Sequence, residues 1–236
     1  MLKHLKSSEM GRGIHGWLDS HFHFSFAEYY NPDNIHFGAL RVLNDDIIAA
    51  GTGFEMHPHR DMEIISYIVE GELSHKDSMG NEHTLSRGQV QYMSAGTGIF
   101  HSEHNWGDTP MRLIQVWILP DSVGYKPAYG DFRFKWEDRF GRWLPLVTSY
   151  DNNESTAPVK IHQDANIYAT IIDKGSSIDF AVNPGRIAYL VVLEGKVTVN
   201  DIAMAQRDAL EVVEEDLKIT ADKDAHLYLI EMKKGT

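Results

Sequence analysis

The chain predicts an all-β protein built as two β-domains of similar make, and three observations carry that expectation. Helical periodicity is scarce. In its place come short alternating or apolar runs such as "ALRVL", "IISYIV", "QVQYM", "RLIQVWIL", "YATII", "IAYLVVL", "KVTV" and "HLYLIEM". Glycine and aspartate turns break these runs about every 8–12 residues, the spacing of sandwich and barrel strands. The third observation is an internal echo, because "SYIVEGELSHKDSMGNEHTLSRGQVQYM" is answered by "YLVVLEGKVTVNDIAMAQRDALEVV". Each copy ends an apolar strand at Glu-Gly, Glu70-Gly71 and Glu194-Gly195, then continues through a second strand and a polar turn. Gly88 lies 17 residues after Gly71 (88 − 71), and Asp208 lies 13 after Gly195 (208 − 195).

In chain order, "MLKHLKSSEMGRG" lacks the apolar core of a signal peptide, and no later run approaches a membrane span. A soluble cytoplasmic protein is the expectation. "SSEMGRG" and "PDSVGYKP" read as loops. In "DSHFHFSF", His21 and His23 alternate with Phe22, Phe24 and Phe26, so the phenylalanines are expected to be buried and the histidines to face water or a partner. "GTGFEMHPHRDMEI" leads into the first apolar strands, and "MSAGTGIFHSEHNWGD" follows the first copy of the repeat. "EDRFGRWLPLVTSYDNNESTAPVK" is polar and turn-rich, a linker with the first strand of the next domain. The chain is therefore divided into residues 1–140 and 141–236.

Composition excludes several function classes. The formal charge is −12, from 34 acids against 22 bases, where a broad nucleic-acid face or an anionic-lipid face needs a basic stripe. Neither nucleic acid nor membrane is an expected partner. With no cysteine, disulfides, thiolate nucleophiles and thiolate metal sites are ruled out. A bound metal must be held by nitrogen and oxygen.

Those atoms are available in two short segments. In an extended chain His57 and His59 point to one side, as do His101, Glu103 and Asn105. Residues two apart are separated by about 6.5–7 Å along the backbone, and their side chains can converge on one ion at about 2.0–2.2 Å. The separation of 44 residues (101 − 57) allows a strand, a hairpin and a return strand, so the pairs can meet. Pro58 lacks a backbone donor and suits a strand start or an edge. Glu63 shares the parity of the two histidines and reads as a salt-bridged acid or a participant in chemistry. His75, His83, His104, His162 and His226 read as surface or satisfied histidines, and the second copy lacks a site.

The segments "HPHRDMEI" and "YIVEGELSHKDSMGNEHTLSRGQVQYMSAGTGIFHSEHN" resemble the two cupin motifs, and their particular wording is similar to the pirin family over most of residues 15–120. The C-terminal half resembles a cupin more weakly. The resemblance implies a bicupin: two double-stranded β-helix (jelly-roll) barrels, of which only the first, residues 1–140, binds metal. Two departures from general cupins stand out. Gly71 falls one residue late after Glu63, and the segment from Gly88 to His101 is two residues longer. In pirins the longer segment goes with a carboxylate ligand from His-x-Glu. Carried over, the ligands are His57, His59, His101 and Glu103.

Three imidazoles and one carboxylate leave a divalent ion with net charge about +1 and, if octahedral, two open positions. Such a centre attracts an anionic chelate, for which a 3-hydroxyflavone such as quercetin is suited. Glu103 or Glu63 is then the proton acceptor. The resemblance implies a quercetin 2,3-dioxygenase reaction, opening the flavonol ring with O2 and releasing carbon monoxide. Its alternative is the redox-responsive, metal-dependent regulator described for eukaryotic pirins, acting through a protein partner. Iron(II) is the first choice of metal, followed by nickel, cobalt, manganese, copper and zinc. Asn105, Glu63 and Gln115 are candidates for groups that orient the ligands.

Overall fold

The structure is a computed structural model describing residues 1–235, and its regular secondary structure is almost entirely antiparallel strand. Two 3-10 turns, Ser7–Glu9 and Trp136–Arg139, are the other regular elements among the described residues. Among the described residues no helix is long and apolar enough to cross a membrane. Chain contacts separate two compact units. One comprises Gly11–Lys135 with Ile161–Gln163; the other comprises Met1–Met10, Trp136–Lys160 and the chain from Asp164 onward. The first residues thus join the later unit, although sequence order groups them with residues 1–140. Leu2–Leu5 is an edge strand hydrogen-bonded to Ala209–Val213.

The Gly11–Lys135 unit is a jelly-roll barrel of two sheets. The larger orders its strands Ala128–Phe132, Val90–Ser94, Glu63–Glu70, Met111–Ile118, Leu40–Ile48, Leu18–Phe22 and Gly11–Ile14. The smaller orders Thr52–His59, Ile99–Asn105, Glu72–Asp77 and Glu82–Ser86. Pro58 therefore lies on an edge strand, where its missing N–H breaks no ladder.

Strand alternation sorts the barrel interior into layers. One apolar cluster joins Ile48, Ile68, Met111 and Leu113 of the larger sheet to Leu73 and Leu85 of the smaller, with Phe54 against it. A second gathers Ile64, Met93, Ala95 and Ile99 beside Met62 and Trp117. Between these layers a polar rung crosses four strands: Asn44, Gln115, Ser66 and Gln91 are successive cross-strand partners. Burying four polar side chains in one rung demands hydrogen-bond partners inside the barrel.

On the other parity of the same sheet, Arg112 Nε and Nη2 donate to Asp45 Oδ1 and Oδ2 at 2.7 and 2.6 Å, a buried bidentate pair. The unit built around Asp164 onward has its own core, dominated by valine, leucine and alanine of the Arg186–Val199 and Leu217–Lys233 strands.

The internal echo has a backbone cause. Gly71 and Gly195 have φ of 76° and 88°, a left-handed conformation that favours glycine. The polar turns also correspond, with a shift from the sequence alignment. The amide of Gly88 donates to Ile68 O, three residues before Gly71, and that of Arg207 to Val192 O, three before Gly195. The counterpart of Gly88 is therefore Arg207, at φ 72°, and not Asp208.

Candidate metal centre

Thr52–His59 and Ile99–Asn105 are neighbours in the smaller sheet, with His57 directly opposite His101. The register then slips: Glu103 faces Phe54, so Glu55 and Met56 together oppose Ser102. This bulge sends the Glu55 side chain into solvent and brings Phe54 to the same cavity as His57. Gly53 is needed there, because a Cβ would lie 2.2 Å from the Glu103 carbonyl oxygen.

The ring centroids of His57, His59 and His101 lie 4.5–4.8 Å apart. One ligand nitrogen from each lies within 4.8 Å of the other two. Glu103 joins through His101: its carboxylate forms a second such group with His101 and His75. Three donors hold that carboxylate. Ser66 Oγ and Gln91 Nε2 donate to Oε1 at 3.0 and 3.5 Å, and Gln115 Nε2 donates to Oε2 at 2.7 Å. All three come from the polar rung, which is why these three side chains can be buried.

The protonation chemistry suits a cation. Burial first, then repulsion from neighbouring imidazoles, pushes His101 down to about 3 and His59 to about 4, so both are neutral at physiological pH. His57 Nδ1 lies 2.7 Å from the Glu55 carbonyl oxygen. A carbonyl only accepts, so Nδ1 is the donor here and Nε2 is the nitrogen available to a metal in the neutral ring. His101 is fully buried, and neither of its ring nitrogens has a hydrogen-bond partner among the described residues. Such a cost is offset by a Lewis acid. The cluster fits a single metal ion held by nitrogen and oxygen.

Several sequence expectations change. Of the two readings of Glu63 the paired acid holds, and it does not share the centre: its carboxylate accepts from Tyr92 Oη (3.0 Å), Ser94 Oγ (2.7 Å) and the His162 backbone amide (3.3 Å), with His162 Nδ1 also at 3.3 Å. Asn105 instead ties a turn, donating to the Ile48 and Thr109 carbonyls and accepting from Gly107 N. Gln115 is the one candidate that orients a proposed ligand.

His23 is buried and not outward-facing, because the strand ends at Phe22 and alternation stops with it. His75 is buried beside His101 and stacks on Tyr129, centroids 4.5 Å apart. The sequence reading missed Ser66, Gln91 and His75. Their signal was present for the first two, as lone polar residues at inward positions of otherwise apolar strands.

A cavity of about 250 Å³ opens onto the histidines. Its walls include Phe54, His57, His59 and Glu103 from one sheet and Phe22, Asn44, Asp46, Gln115 and Trp117 from the other, with Phe26 completing an aromatic surface. His59 meets Trp117 edge to face at 4.8 Å, and Phe26 does so at 5.3 Å.

Comparison with known proteins agrees with this architecture. Residues 4–118 match the pirin family model, and residues 146–232 match a quercetinase C-terminal cupin domain. A quercetin 2,3-dioxygenase of Escherichia coli K12 is 41% identical, covering 96% of each chain. The chain belongs to the pirin family. A pirin-like protein of Caulobacter vibrioides is 40% identical over 94% of this chain and 96% of its own. The crystal structure of the bacterial pirin YhhW from Escherichia coli in complex with nickel(II) superposes with a TM-score of 0.91 at 38% identity, covering 99% of both chains. The pirin fold thus comprises two cupin domains here.

Proposed function

We propose that the chain is a metal-dependent dioxygenase that cleaves flavonols such as quercetin with O2 and releases carbon monoxide. The observation that carries this reading is the aromatic-lined cavity placed against the His57, His59 and His101 cluster. A site that serves only to hold an ion needs no apolar chamber beside it. Relatives named quercetin 2,3-dioxygenase support the substrate class.

His57, His59, His101 and Glu103 are assigned as the residues that hold one divalent ion, with iron(II) preferred and nickel, named in a related structure, an alternative. When bound, the ion supplies Lewis acidity toward a hydroxyl beside a carbonyl and a redox partner for O2.

The chain's own residues do the rest. Phe22, Phe26, Phe54 and Trp117 grip the flat ring system and exclude water from it. Gln115, Ser66 and Gln91 fix the Glu103 carboxylate, which lines the cavity and is the base assigned to the proton of the substrate hydroxyl. Anaerobic loading with iron(II), followed by admission of air with quercetin present, tests this. Metal-dependent loss of the flavonol absorbance with carbon monoxide release is expected. Metal binding without turnover would instead favour a regulator acting through a protein partner.

A further inference from the structure

The cavity wall opposite His57 and His59 carries two polar side chains that the chemistry above does not use. Asn44 and Asp46 lie two apart on the Leu40–Ile48 strand and so share its inward face. Asn44 is 2% exposed and Asp46 is 1% exposed. Asn44 Oδ1 and Asp46 Oδ1 are buried without a hydrogen-bond partner among the described residues. Ser20, the cross-strand partner of Asp46, donates to its carboxylate, which leaves Oδ1 unpaired. Both side chains line the chamber.

Unpartnered acceptors inside a barrel are costly. Neighbouring positions on this face, Val42 and Ile48, are apolar, so nothing in the strand pattern requires polarity here. Two unpaired acceptors on residues that line an aromatic chamber complement a ligand that brings hydrogen-bond donors on its ring.

We infer that Asn44 and Asp46 form a specificity wall that selects aromatic substrates bearing phenolic hydroxyls away from the metal-chelating end. This rests on the flavonol reading and deepens it. An aromatic chelate without those hydroxyls fills the same apolar space but leaves both oxygens unpaired. A site built to hydrogen-bond a substrate discriminates against such an analogue.

The test measures anaerobic binding of quercetin and of 3-hydroxyflavone, which keeps the chelating pair but lacks the other hydroxyls, to iron(II)-loaded protein by calorimetry. Metal stoichiometry and circular dichroism are recorded for each variant. Wild type should bind quercetin at least about tenfold more tightly than 3-hydroxyflavone. Asp46→Leu should erase most of that preference, read as the ratio of the two affinities in metal-loaded, folded protein. Asp46→Asn keeps an acceptor oxygen and should retain the preference. Asn44→Leu, should Asp46→Leu not fold, is expected to narrow the gap in the same way. Equal affinity for the two ligands in wild type, or a preference surviving in the folded leucine variants, overturns this inference alone. Binding of neither flavonol by metal-loaded wild type overturns the flavonol reading and this inference with it.

Discussion

Replacing Gln115 by leucine should weaken metal binding without unfolding the barrel. Its Nε2 donates to Glu103 Oε2 at 2.7 Å, the shortest of three bonds holding that carboxylate, while its Oε1 accepts from Trp117 Nε1 at 3.2 Å. A hydrogen bond to a charged group contributes about 1.5–3 kcal/mol net. If that energy positions Glu103 for the metal, its loss corresponds to roughly 10–100-fold weaker affinity. Leucine roughly fills the volume and water can replace the acceptor that partly buried Trp117 loses, but the buried Glu103 carboxylate loses a donor, so global stability should fall by about 1.5–3 kcal/mol. Competition with a chromophoric chelator at fixed pH and salt reads the affinity, and denaturant titration reads the stability. Asn105→Ala is the control. Asn105 holds a turn through Ile48, Thr109 and Gly107, so it should lose stability and keep its metal affinity. An affinity within about threefold of wild type for Gln115→Leu, or an equal drop for Asn105→Ala, would refute the reasoning.

Three further outcomes are expected. His57→Ala and Glu103→Ala should each lose stoichiometric metal yet keep an all-β circular dichroism spectrum; metal retained in both would sink the ligand assignment. In the metal-free protein, His101 has its folded pKa lowered from about 6.5 to about 3 by burial and by His57 and His75. The unfolded chain therefore binds its proton first, so this group's effect is absent above pH 6.5 and destabilises progressively as pH falls toward 3. Buried Asp46, raised to about 7, has the opposite slope, so His101→Leu isolates the effect. Relative to wild type, the variant should gain about 2 kcal/mol between pH 6.5 and pH 5 by urea titration, and parallel pH profiles would contradict it. Arg112→Met strands the buried Asp45 carboxylate and should cost about 3–5 kcal/mol, most of it recovered when Asp45→Leu is added. A double variant no more stable than the single one would show that the pair is not the origin of the loss.

By itself, the sequence determined the all-β class, the duplicated build and the grouping of His57 with His59 and of His101 with Glu103. Each follows from short-range rules: a two-residue side-chain period, glycine at positive φ, and turns between apolar runs. Tertiary structure decided everything that depends on which strands become neighbours. Glu63 shares the parity of His57 and His59, yet it turns to Tyr92, Ser94 and His162. His75 looks like a hairpin histidine until the Glu72–Asp77 strand pairs with Ile99–Asn105 and sets it opposite Glu103. The bulge opposite Ser102 adds a residue to the period and brings Phe54 to the cavity. Alternation tells which face a residue occupies within its strand; register between strands distant in sequence tells what it meets there. That register is set by packing of the whole barrel, and it aligned Ser66, Gln91 and Gln115 beneath a single carboxylate.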